Sequence, residues 1–245
     1  MRLLCVLGAL CVLSSCGGAG VFRQYEYEED VYLSLDGSAT VYVNSSIPAL
    51  DALRGASFDP SPSARTDRDA VRSYYTSPGA RVASVRTSRR NNRRFVHVRI
   101  DVDDVRQLGT MAPFAWSTLK FDREDNRVVY QQTIGAAAGR DVGRVNWTGR
   151  ELVAFRLHAP SKIVFHNTSD VRRGNILVWE QPLSDRLRGV PLRLEARMET
   201  QSILYRTLWL FGATFIAVAA AFAAVIAWVL KRPTASEVER RQASG

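Results

Sequence analysis

Tyr25-Glu26-Tyr27-Glu28-Glu29-Asp30-Val31-Tyr32-Leu33-Ser34-Leu35 alternates apolar and polar residues for much of its length, and Asp36-Gly37 follows it directly. Alternation then resumes over Ser38-Ala39-Thr40-Val41-Tyr42-Val43-Asn44, with Val41 and Val43 on one side. Two alternating runs joined through Asp-Gly predict a β-hairpin, because Asp and Gly tolerate the positive φ that a tight reversal needs. The last run before the C-terminal region repeats the period: Leu192, Leu194, Ala196 and Met198 alternate with Arg193, Glu195, Arg197 and Glu199. One apolar and one wet side describe an antiparallel sheet covered on one face.

Between these runs the pattern stays strand-rich. Val82 to Thr87 and Phe95 to Asp101 form a second predicted hairpin, with Val96, Val98 and Ile100 facing one way. It turns through Arg89-Arg90-Asn91-Asn92-Arg93-Arg94, whose asparagines suit a tight turn. Trp116 to Phe121 and Arg127 to Thr133 read as a third pair. Residues 152–158, 163–165 and 175–180 add further strands, while the Gly/Ala-rich residues 135–149 read as a loop. Two short helices are expected. Pro48 opens the first, which runs through Leu53 and closes at Gly55; Thr66 caps the second, from Asp67 to about Thr76. The fold class is α+β, a mainly antiparallel sheet with the two helices on one face, plus one C-terminal transmembrane helix.

The ends of the chain carry membrane signals. Arg2, an apolar stretch from Leu3 to Leu13 and small residues after it have the layout of a secretory signal. Leu13-Ser14-Ser15-Cys16 resembles the lipobox of bacterial lipoproteins. That resemblance implies cleavage between Ser15 and Cys16 and a diacylglycerol on the Cys16 thiol; an ordinary signal peptide cut elsewhere is the alternative. Thr207 to Leu230 contains no charge and is followed by Lys231-Arg232, with Trp209 and Trp228 near its ends. Such a segment spans a bilayer with its basic flank in the cytoplasm. The expected organisation is therefore a signal at 1–15, a flexible leash at 16–22, an extracytoplasmic domain at 23–201, a span at 207–230 and a cytoplasmic tail at 231–245.

Composition narrows the partners. The chain has 245 residues, 33 of them Lys or Arg and 24 Asp or Glu. Setting aside Arg2, Lys231, Arg232, Arg240 and Arg241 leaves 28 basic residues, and setting aside Glu237 and Glu239 leaves 22 acidic ones, so the domain carries about +6. Outside the cytoplasm this favours anionic headgroups or acidic polymers and not nucleic acid. Cys5 and Cys11 lie in the signal, so Cys16 is the sole cysteine expected in the mature chain. The domain then folds without an internal disulfide, and cysteine-based metal sites are excluded.

The lipobox, the Tyr/Glu-rich first strand with Asp36-Gly37, the two short helices, the hairpins and the terminal helix together resemble the LppM-type bacterial lipoproteins. The nearest local match runs from Leu157-His158-Ala159-Pro160-Ser161-Lys162-Ile163 through Asn167 to Gly174-Asn175-Ile176-Leu177-Val178-Trp179. The resemblance implies an envelope protein whose domain associates with lipid, and it supplies no catalytic residues.

No catalytic motif is visible, neither a Gly-x-Ser-x-Gly elbow nor a phosphate-binding glycine loop, and no cofactor is expected. His158 and His166 flank Pro160, and His97 sits on the wet side of a strand; without tight spacing they define no metal site. Asp101-Val102-Asp103-Asp104 and Glu28-Glu29-Asp30 leave open an envelope hydrolase acting on cell-wall glycan, which needs two carboxylates facing across a cleft. Asn44-Ser45-Ser46, Asn146-Trp147-Thr148 and Asn167-Thr168-Ser169 are sequons, which keep a glycosylated eukaryotic or viral type I membrane protein as a further alternative. The candidate contact with an anionic surface is Arg89, Arg90, Arg93 and Arg94 at the second hairpin tip. The expected function is a non-enzymatic envelope lipoprotein whose domain binds lipid or a membrane partner.

Overall fold

The computed structural model describes residues 23–172 and 175–231. The chain divides into two compact units, Met1–Thr200 and Gln201–Gly245.

In the first unit, β1 (Tyr25–Leu33) and β2 (Ala39–Ser46) form the expected antiparallel hairpin, with Val31 opposite Val41. Gly37 has φ 95°, a value that favours glycine, and the Asp36 carboxylate accepts from the Ser38 N–H at 2.9 Å. Helix α1 (Ile47–Arg54) follows at once. The Ser46 hydroxyl caps it by accepting from the Ala49 N–H at 3.2 Å, and Gly55 at φ 71° ends it. Every residue of α1 is buried, consistent with a helix that is apolar nearly all round.

Helix α2 (Arg68–Tyr75) departs from expectation by one residue. Its cap is Asp67, whose Oδ1 accepts from the N–H of Asp69 at 2.9 Å and of Ala70 at 3.1 Å. An anionic carboxylate meets two orphan amides and the positive end of the helix dipole, which the Thr66 hydroxyl does less well. Thr66 is instead an acceptor for Arg94 at 2.9 Å.

β3 (Ala80–Arg90) and β4 (Arg93–Val102) make the second hairpin, longer than the alternation alone indicated. Asn91 and Asn92, at φ 48° and 57°, are its two turn residues, the backbone of a primed turn. β5 (Ser117–Glu124) and β6 (Arg127–Ile134) form the third. Two 3₁₀ turns, Val105–Thr110 and Ala112–Phe114, precede it. Then come β7 (Leu152–His158), β8 (Ser161–His166), β9 (Asp170–Arg172), β10 (Ile176–Pro182), the short α3 (Leu183–Leu187) and β11 (Leu192–Ser202).

The strands form two sheets, in the orders β3-β4-β2-β1-β7-β10-β9 and β5-β6-β11-β8. All pairings with a described register are antiparallel except one: β1 runs parallel to β7, Val31 beside Leu157. A single core joins both sheets. Val41, Val98, Ile100 and Phe155 of the larger sheet pack in one cluster with Leu50 and Leu53 of α1 and with Tyr130, Ala196 and Met198 of the smaller one. That cluster confirms the apolar side of β11.

The second unit is dominated by α4 (Ile203–Leu230), capped by the Ser202 hydroxyl at 3.2 Å from the Leu204 N–H. Its 24-residue segment Thr207–Leu230 is long and apolar enough to cross a membrane, about 36 Å at 1.5 Å per residue. Within that segment Trp209, Phe211, Phe215, Phe222 and Trp228 are exposed large apolar side chains.

Candidate functional site

The four hairpin arginines do not form one basic tip. Strand β4 carries Arg93 and Arg94 into the protein, where each is 5% exposed. Arg93 pairs with the buried Glu26 at 3.0 Å and donates to the Asn146 carbonyl at 2.9 Å. Glu26 also accepts from Trp147 Nε1 at 3.4 Å, so this cluster holds the 135–149 loop against the sheet. Arg90 lies 4.5 Å from the Phe95 ring centroid and donates to the Tyr25 carbonyl. Arg89 alone of the four combines exposure with freedom from an ion pair or ring contact among the described residues. A turn at Asn91-Asn92 accounts for the split: side chains alternate along each strand, and Arg93 and Arg94 flank elements that cover both sides of β4.

Arg94 leads to a different site. It forms the inner wall of an open groove of about 800 Å³ bounded by residues 64–69 on one side and by Thr87, Ser88 and Arg89 of β3 on the other. Arg65, Arg68, Arg89 and Arg94 line it, against Asp67 and Asp69. Asp67 is committed to the α2 amides. Arg65, Arg68 and Arg89 are exposed and make no ion pair with any described carboxylate; Arg68 reaches only the Thr87 hydroxyl, at 3.4 Å. Arg94 bonds to neutral oxygens: the Ser61 carbonyl at 3.0 Å, the Thr66 hydroxyl at 2.9 Å and the Asp59 carbonyl. Burial lowers its pKa, Asp59 acts against that, and Arg89 adds to it. The groove is a concentration of positive charge with few acids to answer it. Sequence reasoning missed Arg65 and Arg68, because they lie more than 20 residues from the hairpin tip and only the packing of α2 beside β3 brings them to it.

A second charged cluster lies in the interior. Arg54 Nη2 pairs with Glu29 at 2.6 Å, and its guanidinium carbon is 3.6 Å from the Trp116 ring centroid. Tyr27 donates to Glu29 at 2.8 Å, Gln132 donates to its other oxygen at 3.0 Å, and Tyr130 donates to Gln132 at 2.6 Å. Arg186, fully buried, stands 5.0 Å from the same Trp116 ring; burial and the nearby Arg54 charge bring its pKa down to about 10. Their geometry is that of a cross-link between the two sheets, Glu29 of β1 to Gln132 of β6.

The remaining candidates have partners within the fold. Glu28 and Asp30 share Arg156, at 2.7 and 3.1 Å, and Asp101 pairs with Arg81 and Arg99. His158 stacks on Tyr32 with ring centroids 3.7 Å apart, and burial lowers its pKa. His166, on the other sheet, bonds the Thr168 carbonyl at 2.9 Å, so the two histidines are not brought together. His97 is half-buried, held between Asn44 at 2.9 Å and Ser88 at 2.8 Å. Among the described residues no group of three His, Cys, Asp or Glu is placed to hold a metal ion.

Two sequons are occupied by the fold. Asn44 bonds His97, while Ser45 is buried and Ser46 caps α1. Asn167 donates to the Arg193 carbonyl and accepts from Trp179 Nε1 and the Glu195 N–H, each at 2.9 Å. Asn146 is exposed. Ser15, Cys16 and the rest of the signal and leash, like residues 232–245 of the tail, lie outside the described residues.

No protein-family model and no curated protein matches the chain. Among solved structures, it is similar to the folded domain of Mycobacterium tuberculosis LppM determined by NMR, at 14% identity and a TM-score of 0.41, over 74% of this chain and 94% of that one.

Proposed function

We propose that the chain is a membrane-tethered, non-enzymatic envelope lipoprotein whose extracytoplasmic domain engages anionic lipid headgroups. The observation that carries this is the groove beside α2. Three exposed arginines without carboxylate partners line it, on a unit joined in sequence to a helix of membrane-spanning length. Free guanidinium groups near an anionic bilayer each contribute about 1 kcal/mol of attraction, enough together to orient a tethered domain. In this reading Thr207–Leu230 spans the cytoplasmic membrane, the tail stays inside, and Cys16 bears the lipid, which intact mass reads out and Cys16→Ser removes.

The test uses the full chain reconstituted in phosphatidylcholine nanodiscs and measures capture of vesicles. Vesicles containing phosphatidylglycerol are expected to be retained, with capture falling as salt rises. Substituting Arg65, Arg68 and Arg89 together with Ser is expected to abolish the difference from pure phosphatidylcholine vesicles. Equal capture of both vesicle types by the unsubstituted chain rejects the proposal.

A further inference from the structure

We infer that the groove beside α2 is a phosphate site, in which Arg94 is the buried positive charge that the bound phosphate neutralises. The inference rests on the anionic-headgroup reading and names the chemical group that is recognised.

Arg94 differs from its buried neighbours. Arg54 has Glu29 at 2.6 Å and Arg93 has Glu26 at 3.0 Å. Arg186 bonds only neutral oxygens but is packed against Trp116 in the interior. Arg94 combines both properties that matter: burial without a carboxylate in ion-pair reach among the described residues, and a place on the wall of an open groove. A desolvated guanidinium gains most from an anion that arrives from outside, since no described carboxylate answers its charge at contact distance. Three of its bonds are spent on Ser61, Thr66 and Asp59, whereas a guanidinium carries about five N–H donors.

The rest of the lining fits a phosphate better than a carboxylate. Arg65, Arg68 and Arg89 approach from the two sides of the groove, and a phosphate offers three or four oxygens and up to two negative charges to guanidinium groups from several directions. The Thr66 and Thr87 hydroxyls each accept from an arginine, which leaves their own protons to donate to a ligand oxygen. The α2 N-terminus adds no free amides, because Asp67 occupies those of Asp69 and Ala70; the site is a side-chain site. Asp69, the other acid on the lining, disfavours an anion on its own side and so biases the phosphate toward Arg89 and Arg94. At about 800 Å³ the groove accommodates a substituent as well as the phosphate, which fits a lipid headgroup or a free phosphorylated molecule.

The experiment titrates the full chain in maltoside micelles free of phospholipid, by calorimetry, with inorganic phosphate, glycerophosphoglycerol and acetate. The two phosphates are expected to bind at least about tenfold more tightly than acetate. Arg68→Ser combined with Arg89→Ser, both exposed positions, is expected to weaken phosphate about tenfold or more, and Arg94→Gln to do the same. Arg86→Ser and Arg99→Ser, on exposed positions away from the lining, are expected to leave binding unchanged. Should Arg94→Gln fail to fold, the exposed pair still decides. Tighter binding of glycerophosphoglycerol than of inorganic phosphate supports a lipid headgroup as the source, and the reverse order supports a free phosphorylated ligand. Phosphate no tighter than acetate, or unaltered by the Arg68 and Arg89 substitutions, overturns the site. If vesicle capture nevertheless persists, the headgroup reading stands on diffuse charge alone and only the phosphate site falls.

Discussion

Asp51 gives a pH-dependent test of the buried interior. Its side chain lies inside α1, 2% exposed, and Oδ1 accepts from the Phe58 N–H at 3.2 Å. Burial raises its pKa from 3.8 to about 6; the Phe58 bond and the charges of Arg140 and Arg94 act the other way without cancelling it. A carboxyl with a raised folded pKa contributes its stability at low pH and loses it as pH climbs through the folded value. Between about pH 4 and pH 6 the folded chain therefore holds a proton that the unfolded chain has released. Two pKa units correspond to about 3 kcal/mol, and roughly 2–3 kcal/mol is the cost of the ionised side chain at pH 7.5. Asp51→Asn keeps the acceptor for Phe58 and removes the charge. Urea unfolding of the full chain in maltoside, followed by tryptophan fluorescence, is expected to show the variant more stable by that amount at pH 7.5. The advantage is expected to shrink to a small remainder at pH 4. A gain equal at both pH values would show that packing and not ionisation is responsible. A loss at pH 7.5 would mean that the carboxylate is stabilising, and would refute the reasoning.

Two further outcomes are expected in the same unfolding assay. Glu29→Gln leaves the Arg54 guanidinium buried without its counter-ion and is expected to destabilise the first unit by about 3–5 kcal/mol, so a change under 1 kcal/mol would show the pair to be dispensable. Asn167→Ala removes bonds to Trp179, Glu195 and Arg193 from an exposed position and is expected to cost roughly 1–2 kcal/mol; an unchanged midpoint would mean that water replaces all three.

Local pattern foretold the local structure closely. The alternation of Leu194, Ala196 and Met198, or of Val96, Val98 and Ile100, sorts side chains onto faces because a strand has a two-residue repeat. Asn91-Asn92 and Gly55 likewise sit where positive φ is required. The cap of α2 lies one residue beyond the expected Thr66: both residues are competent caps, the Asp67 carboxylate meets two helix amides, and the Thr66 hydroxyl accepts from Arg94, distant in sequence. The site was legible only in part. Arg89 and Arg94 belong to the groove, Arg90 and Arg93 do not, and Arg65 and Arg68 join it from another element.

The sequence by itself determined most of the strands, the two short helices to within a residue or two at their ends, and that Thr207–Leu230 is long and uncharged enough to cross a membrane. Each of these follows from the backbone's own repeat and from hydropathy, quantities that a short window contains. Tertiary structure alone decided that β1 lies parallel to β7, more than 120 residues away, that the strands divide into two sheets, and which arginines face water. A charge has no fixed role until its depth and its partners are known, and both are set by segments remote along the chain. Arg93 and Arg94 are neighbours in sequence; one is paired with Glu26 and the other bonds only neutral oxygens on the wall of a groove.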